Sequence, residues 1–246
     1  MAGVIRRRAL VVLVALGLAL AALAGACSSP SGSTSRVFDS AAQDPADLFT
    51  IRNDSGLVEG APVPRAGTAP DGRPAMLFSV PGGGERAEVL PRVPVGREGQ
   101  EIWVHYVAKL ADVPVQTRTW QVILQWHQLA DTGSPPIALE VGRGQLRLAN
   151  VGTHQQSLGP VTANATVDVV LRIRFSQDPD TGLIEVWRNG REVLTDYHPP
   201  EGTLLDGADY VKMGIYRDPA IRQASSMAVT RLAIGPTAAA INAPIG

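Results

Sequence analysis

"GLIEVWRNGREVL", residues 182–194, reads as two short strands joined by Asn189-Gly190. Both central residues of a type I′ turn need positive φ, and Asn-Gly meets that need more readily than other pairs. The stretch therefore predicts an antiparallel hairpin. Working outward, the same period of two recurs on both sides. "TVDVVLRIRF", 166–175, sets Val167, Val169, Leu171, Ile173 and Phe175 against Asp168, Arg172 and Arg174. "PIALEVGRGQLRLANV", 136–151, predicts a second hairpin with Gly142 and Gly144 at its bend. "EIWVHYVAKL", 101–110, alternates Ile102, Val104, Tyr106 and Ala108 with Trp103, His105 and Val107. In "TWQVILQWHQL", 119–129, strict alternation puts Trp120, Val122, Leu124 and Trp126 on one face. Gln121, Ile123, Gln125 and His127 then take the other. "YVKMGIYR", 210–217, offers Val211, Met213 and Ile215 to a core and Tyr210, Lys212, Gly214 and Tyr216 to the opposite side. "SSMAVTRLAIG", 225–235, reads as a closing strand.

No stretch after Cys27 carries a helical apolar stripe, and no fixed-period repeat is present. Many short strands, spaced by turns and lacking crossover helices, imply an all-β fold: an antiparallel β-sandwich of the jelly-roll, concanavalin-like kind. The sandwich is expected over 37–235, with the less regular Val37–Arg73 segment packing across sheet edges. The Ala/Pro-containing tail over 236–246 is expected to be loose.

The chain opens with Arg6, Arg7 and Arg8, then a long apolar run, then Ala24-Gly25-Ala26 before the single cysteine, Cys27. That order is a secretory leader. Its end resembles the lipobox of bacterial lipoproteins, which implies a signal peptide over 1–26 and lipidation at Cys27. A Ser/Gly/Pro tether follows over 27–36. The expected location is extracytoplasmic, lipid-anchored to a membrane. One cysteine permits no intramolecular disulfide, so the core alone must hold the fold. The full chain has 22 basic and 23 acidic residues, and three of the basic ones lie in the leader. An acidic mature chain argues against a nucleic-acid partner while leaving room for a polyanion in a local basic groove.

Three short motifs carry chemistry: Arg86-x-Glu88 in "ERAEV", Gln125-x-His127 in "QWH", and Tyr210-x-Lys212-x-Gly214-x-Tyr216. Each pair shares a strand face, and each alone is common on solvated surfaces. In this order they resemble the jelly-roll polysaccharide lyases. "QWHQ", "GLIEVWRNGREV" and "YVKMGIYR" are most similar to the heparin lyase I and glucuronan lyase-like group, with motif similarity to jelly-roll alginate lyases. The resemblance covers Glu85 to Arg217. Ala87 and Trp126 depart from the alginate lyase pattern, which argues against alginate specifically.

The resemblance implies cleavage of an anionic, uronic-acid-containing polysaccharide by β-elimination, with no cofactor and no metal, in a monomer. The proton α to a charged carboxylate is weakly acidic, so the carboxylate must be neutralised as the enolate-like state forms. Arg86, Gln125 and His127 suit that role. Tyr216 is the implied acid and base, although a free phenol titrates near about 10 and needs help; His127 as the base is the alternative. Lys212, on the same face, is expected to assist Tyr216 or to hold substrate. Gly214 is expected to let a sugar ring approach. Tyr210, Glu88 and Arg217 complete the expected substrate-binding set. Glycoside hydrolysis needs two carboxylates flanking the bond, and no Glu-x-Asp-x-x-Glu run is present. His105, His127, His154 and His198 lack metal-ligand spacing. A non-catalytic glycan-binding module on the same fold remains the alternative to an enzyme.

Overall fold

The computed structural model describes residues 62–130 and 133–246, together with the strands Phe38–Asp39 and Phe49–Arg52. The expected leader, Cys27 and the tether lie outside the described residues. The described chain forms two antiparallel sheets. The first runs β14 (Arg191–Tyr197), β13 (Leu183–Arg188), β12 (Thr166–Arg174), β7 (Glu101–Lys109), β16 (Ser225–Gly235), β4 (Pro74–Val80) and β3 (Arg65–Thr68), with β1 (Phe38–Asp39) paired to β16. The second runs β11 (His154–Pro160), β10 (Gln145–Asn150), β9 (Ile137–Gly142), β8 (Gln121–Gln128), β15 (Ala208–Arg217), β5 (Arg86–Pro91) and β2 (Phe49–Arg52), with β6 (Gly96–Arg97) paired to β15. This is a β-sandwich of the jelly-roll kind. The irregular segment before Arg73 supplies the edge strands β2 and β3.

Both hairpins have the turns their sequences demand. Asn189 and Gly190 take φ of 50° and 77° between β13 and β14, and Arg143 and Gly144 take 53° and 68° between β9 and β10. The core lies between the sheets. Val104, Tyr106 and Ala108 from β7 and Val167, Val169 and Leu171 from β12 are fully buried against Leu124 and Trp126 from β8 and Met213 and Ile215 from β15. Each such aliphatic side chain contributes about 1.5–3 kcal/mol on burial.

Strict alternation fails once in β8. Ile123 and Leu124 both enter the core, whereas Val122 lies on the opposite face with Ala138, Ala149, Trp120 and Tyr216. The cause is a β-bulge: Val122 pairs with Glu140 and Leu124 with Leu139, so β8 spends one extra residue. Such an insertion flips the parity of everything beyond it. The Tyr106 hydroxyl donates to the Ile123 carbonyl at 3.0 Å, securing the bulged backbone from inside the core. The tail also departs from expectation. It is not loose: Ala239–Ile241 form a short 3-10 turn, Ile241 is fully buried, and Arg231 Nη2 donates to the Ile241 carbonyl at 2.8 Å.

Candidate active site

The outward face of the second sheet carries the predicted polar residues, and strand pairing arranges them in rows. Arg86 of β5 stands opposite Tyr216 of β15, which stands opposite Val122 of β8, then Glu140 of β9 and Arg147 of β10. The next row holds Lys212, Gln125, Ala138 and Ala149. The last pairs Tyr210 with His127.

Arg86 and Tyr216 form the accessible centre. The Arg86 guanidinium carbon lies 4.0 Å from the centroid of the Tyr216 ring, and Trp120 packs on the same ring at 4.6 Å, tilted by 58°. Glu88, almost completely buried, braces this pair. Its Oε2 lies 3.1 Å from Arg86 Nε, and its Oε1 accepts from Gln125 Nε2 at 2.7 Å. An ionised carboxylate only accepts, so Glu88 fixes which way the Gln125 amide points. Gln125 Oε1 is left buried without a hydrogen-bond partner among the described residues. Burial pushes the Tyr216 phenol above its ordinary pKa, Arg86 opposes that rise, and the Glu85 and Glu88 carboxylates add to it.

Lys212, Tyr210 and His127 make an adjoining cluster. Lys212 is fully buried, with Nζ 5.1 Å from the Tyr210 ring, and the His127 ring lies 6.0 Å from the same phenol. His127 Nδ1 donates to the Gln128 carbonyl at 3.1 Å, which puts the lone pair of the neutral ring on Nε2.

Several expectations are corrected by this geometry. The cation on Tyr216 is Arg86 and not Lys212. Four residues of strand separate Lys212 from Tyr216, about 13 Å, whereas directly opposed residues on neighbouring strands touch. By the same measure His127 stands five residues from the partner of Tyr216, about 16 Å along the strand. Glu88 supports Arg86 and Gln125 from below and does not face a ligand. Arg217 is not part of the cleft at all. Its position has the opposite parity to Tyr216, and it is fully buried. Its Nε donates to the Gly84 carbonyl at 3.1 Å, Nη1 to the Gln223 carbonyl at 2.8 Å and Ser225 Oγ at 2.5 Å, and Nη2 to the Pro81 carbonyl at 2.7 Å.

Gly214 has a structural reason of its own. Its φ is 144°, and a Cβ there would lie 2.2 Å from the Ala87 carbonyl oxygen and 2.9 Å from Phe78 Cε1. The missing side chain makes room for β5 and the core rather than for a sugar.

Two residues of the cleft escaped the sequence reading. Strict alternation puts Trp120 on the face of Trp126, because the bulge between them leaves no mark in the hydrophobic pattern. Glu140 lies in the first strand of the hairpin over 136–151, where its parity matches Ala138 on the site face. Both line a cavity of about 370 Å³ with Val122 and Tyr216, closed by loop residues 133–135 and 151–153. Among the described residues no group of three or more His, Cys, Asp and Glu side chains is placed to hold a metal ion.

Solved structures share this architecture. An endo-β-1,4-glucuronan lyase from the fungus Trichoderma reesei superposes with a TM-score of 0.61 at 17% identity, covering 84% of this chain and 98% of its own. The cellulose-induced protein Cip1 superposes at 0.55 with 12% identity, over 81% and 97%. Alginate lyase A1-II′, of polysaccharide lyase family 7, superposes at 0.53 with 16% identity, over 69% and 82%. At these identities the likeness is one of fold. No curated protein matches the chain. The sequence itself matches the polysaccharide lyase family over residues 50–231, a span that takes in every site position from Arg86 to Tyr216, so the chain belongs to that family and is a lyase.

Proposed function

We propose that this lyase cleaves a uronic-acid-containing polysaccharide by β-elimination, with Tyr216 as the proton-transferring group. The observation that carries the reading is the Arg86 guanidinium seated on the Tyr216 ring and held there by buried Glu88. A uronate carboxylate beside Arg86 finds a fixed cation whose position does not have to be organised during the reaction. Buried Gln125 holds the far side of Glu88, and His127, two residues further along the same face, extends the polar surface. Burial holds the phenol above its ordinary range and Arg86 opposes that rise, so Tyr216 acts as base from the phenolate that the Arg86 guanidinium favours. The phenolate takes the proton from the α-carbon and then gives it to the glycosidic oxygen as that oxygen leaves. Over one turnover the α-carbon loses a proton, the glycosidic oxygen gains one, the C–O bond breaks, a C=C bond forms, and Tyr216 ends as it began.

That double bond is conjugated to the carboxylate and absorbs in the ultraviolet where the substrate does not. The mature protein should raise the absorbance of at least one polymer in a panel of uronates. Tyr216→Phe should cut that rate by about 10²–10⁴ while retaining binding, and Tyr210→Phe should change it far less. Wild-type rates from Tyr216→Phe, or binding of every polymer without any rise in absorbance, would overturn the proposal.

A further inference from the structure

We infer that the sugar next to the cleaved uronate, on the Trp120 side of Tyr216, is uncharged, so that the substrate is a heteropolysaccharide alternating a uronate with a neutral hexose or N-acetylhexosamine. This deepens the β-elimination reading and rests on it.

Tyr216 divides the site face. On one side lie Arg86, braced by Glu88, with Lys212 and His127, carried by β5, β15 and β8. On the other lies the cavity lined by Trp120, Val122, Glu140 and loop residues 133–135 and 151–153, and Glu140 is the one charged side chain among its described lining. Its floor is small and apolar, made by Val122 with Ala138 and Ala149 beside it. It is large enough for a single sugar ring.

Glu140 is built in. It is 3% exposed, and its Oε2 accepts from Gln155 Nε2 at 2.9 Å. Arg147, opposite it on β10, is not among the cavity's lining residues. Arg147 Nη2 is 3.8 Å from Oε2, and Arg147 Nη1 is engaged with Gln155 Oε1 at 2.9 Å. Glu140 Oε1 has no hydrogen-bond partner among the described residues. Burial raises the pKa of this carboxyl, and Arg147 only partly offsets the rise.

An acceptor oxygen at the wall of a half-enclosed cavity selects for donors. Sugar hydroxyls and acetamido N–H groups donate; a second uronate carboxylate brings a like charge to a place where water screens it poorly. The Trp120 indole offers the flat apolar surface on which the C–H face of a pyranose packs. A homopolyuronate would put a carboxylate into this cavity whenever a uronate occupies the Arg86 side. An alternating polymer does not.

The test compares unsulfated alternating polymers (glucuronate with N-acetylglucosamine, in both linkage types) with polyglucuronate, polymannuronate and polyguluronate. Initial rates come from ultraviolet absorbance, and affinities from gel retardation of the Tyr216→Phe protein. Alternating polymers should be cleaved with at least tenfold higher kcat/KM, and Glu140→Gln, which keeps shape and removes charge, should narrow that ratio tenfold or more by improving the homopolymers. Trp120→Ala should weaken binding of the alternating polymers, and it keeps the inference testable should Glu140→Gln not fold. A wild-type preference for homopolyuronates, or an unchanged ratio in Glu140→Gln, overturns the inference while leaving β-elimination standing. If nothing is cleaved, β-elimination falls, and the retardation ratio still decides which sugar the cavity accepts.

Discussion

Replacing Gly214 with alanine separates a backbone requirement from a substrate requirement. The new Cβ would sit 2.2 Å from the Ala87 carbonyl oxygen, 2.7 Å from Glu88 Cα and 2.9 Å from Phe78 Cε1. Two of these neighbours are backbone and the third is a core ring, so none can swing aside. Restoring ordinary contact requires β5 to retreat from β15 by roughly 1 Å, and overpacking of this kind costs about 1–3 kcal/mol. Holding alanine at φ of 144° adds about 1–3 kcal/mol. The sum, about 2–6 kcal/mol, is a large part of a typical stability of about 5–15 kcal/mol. In a chain of this size each kcal/mol moves Tm by about 2–4 °C, so the variant should melt about 4–24 °C lower by circular dichroism. Gly207→Ala is the control, since nothing lies within 4 Å of its Cβ position; its Tm should hardly move. If Gly214 served only to admit a sugar, Gly214→Ala would keep the wild-type Tm and raise KM. That pair of results would refute the packing account.

Asp209 and Arg217 give two further tests, both on stability. Asp209 is fully buried, neither carboxylate oxygen has a hydrogen-bond partner among the described residues, and burial together with the nearby Asp206 carboxylate pushes its pKa up to about 8. Between pH 4 and 8 the native state keeps a proton that the unfolded chain releases, so stability should fall as pH rises, by up to about 1.4 kcal/mol per pH unit. Asp209→Asn should flatten the dependence of Tm on pH and melt higher than wild type at pH 8; parallel curves would sink this assignment. Arg217→Met should leave the buried Gly84 carbonyl without its donor and remove the partly buried bonds to the Pro81 and Gln223 carbonyls. An unpaired buried group costs about 1–3 kcal/mol, so the urea midpoint should drop with KM unchanged in the folded protein. A raised KM with an unchanged midpoint would return Arg217 to the cleft.

The parts of this fold that were legible in the sequence are those governed by local rules. Asn189-Gly190 dictates its turn through backbone sterics, and the alternation in β7 and β12 is unbroken from end to end. The single polar face of β15 is visible for the same reason, and it places Tyr210, Lys212 and Tyr216 together on one surface. What a period of two cannot reveal is an extra residue. The apolar run Val122-Ile123-Leu124 fits either parity, so alternation alone puts Trp120 on the wrong face. Contacts across strands were equally hidden. Arg86 meets Tyr216 only because β5 and β15, more than 120 residues apart in the chain, pair in one particular register. Lys212 shares a face with Tyr216, which the pattern shows, but not a contact, which depends on distance along the strand. The role of Gly214 is hidden from its own segment, because the crowding that explains it comes from Ala87 and Phe78.

The bulge at Ile123 divides β8 into two stretches that can change independently. Gln125 and His127 lie on one side of it and keep their pairing with Lys212 and Tyr210; Trp120 and Val122 lie on the other and look into the cavity beside Glu140. Deleting Val122 while the bulge persists would turn Trp120 inward and Gln121 outward without moving Gln125. A lineage could in this way exchange the surface that meets the neighbouring sugar while the proton-transfer apparatus stays where it is. In an alignment of relatives, that exchange would register as a single-residue gap in the middle of a strand.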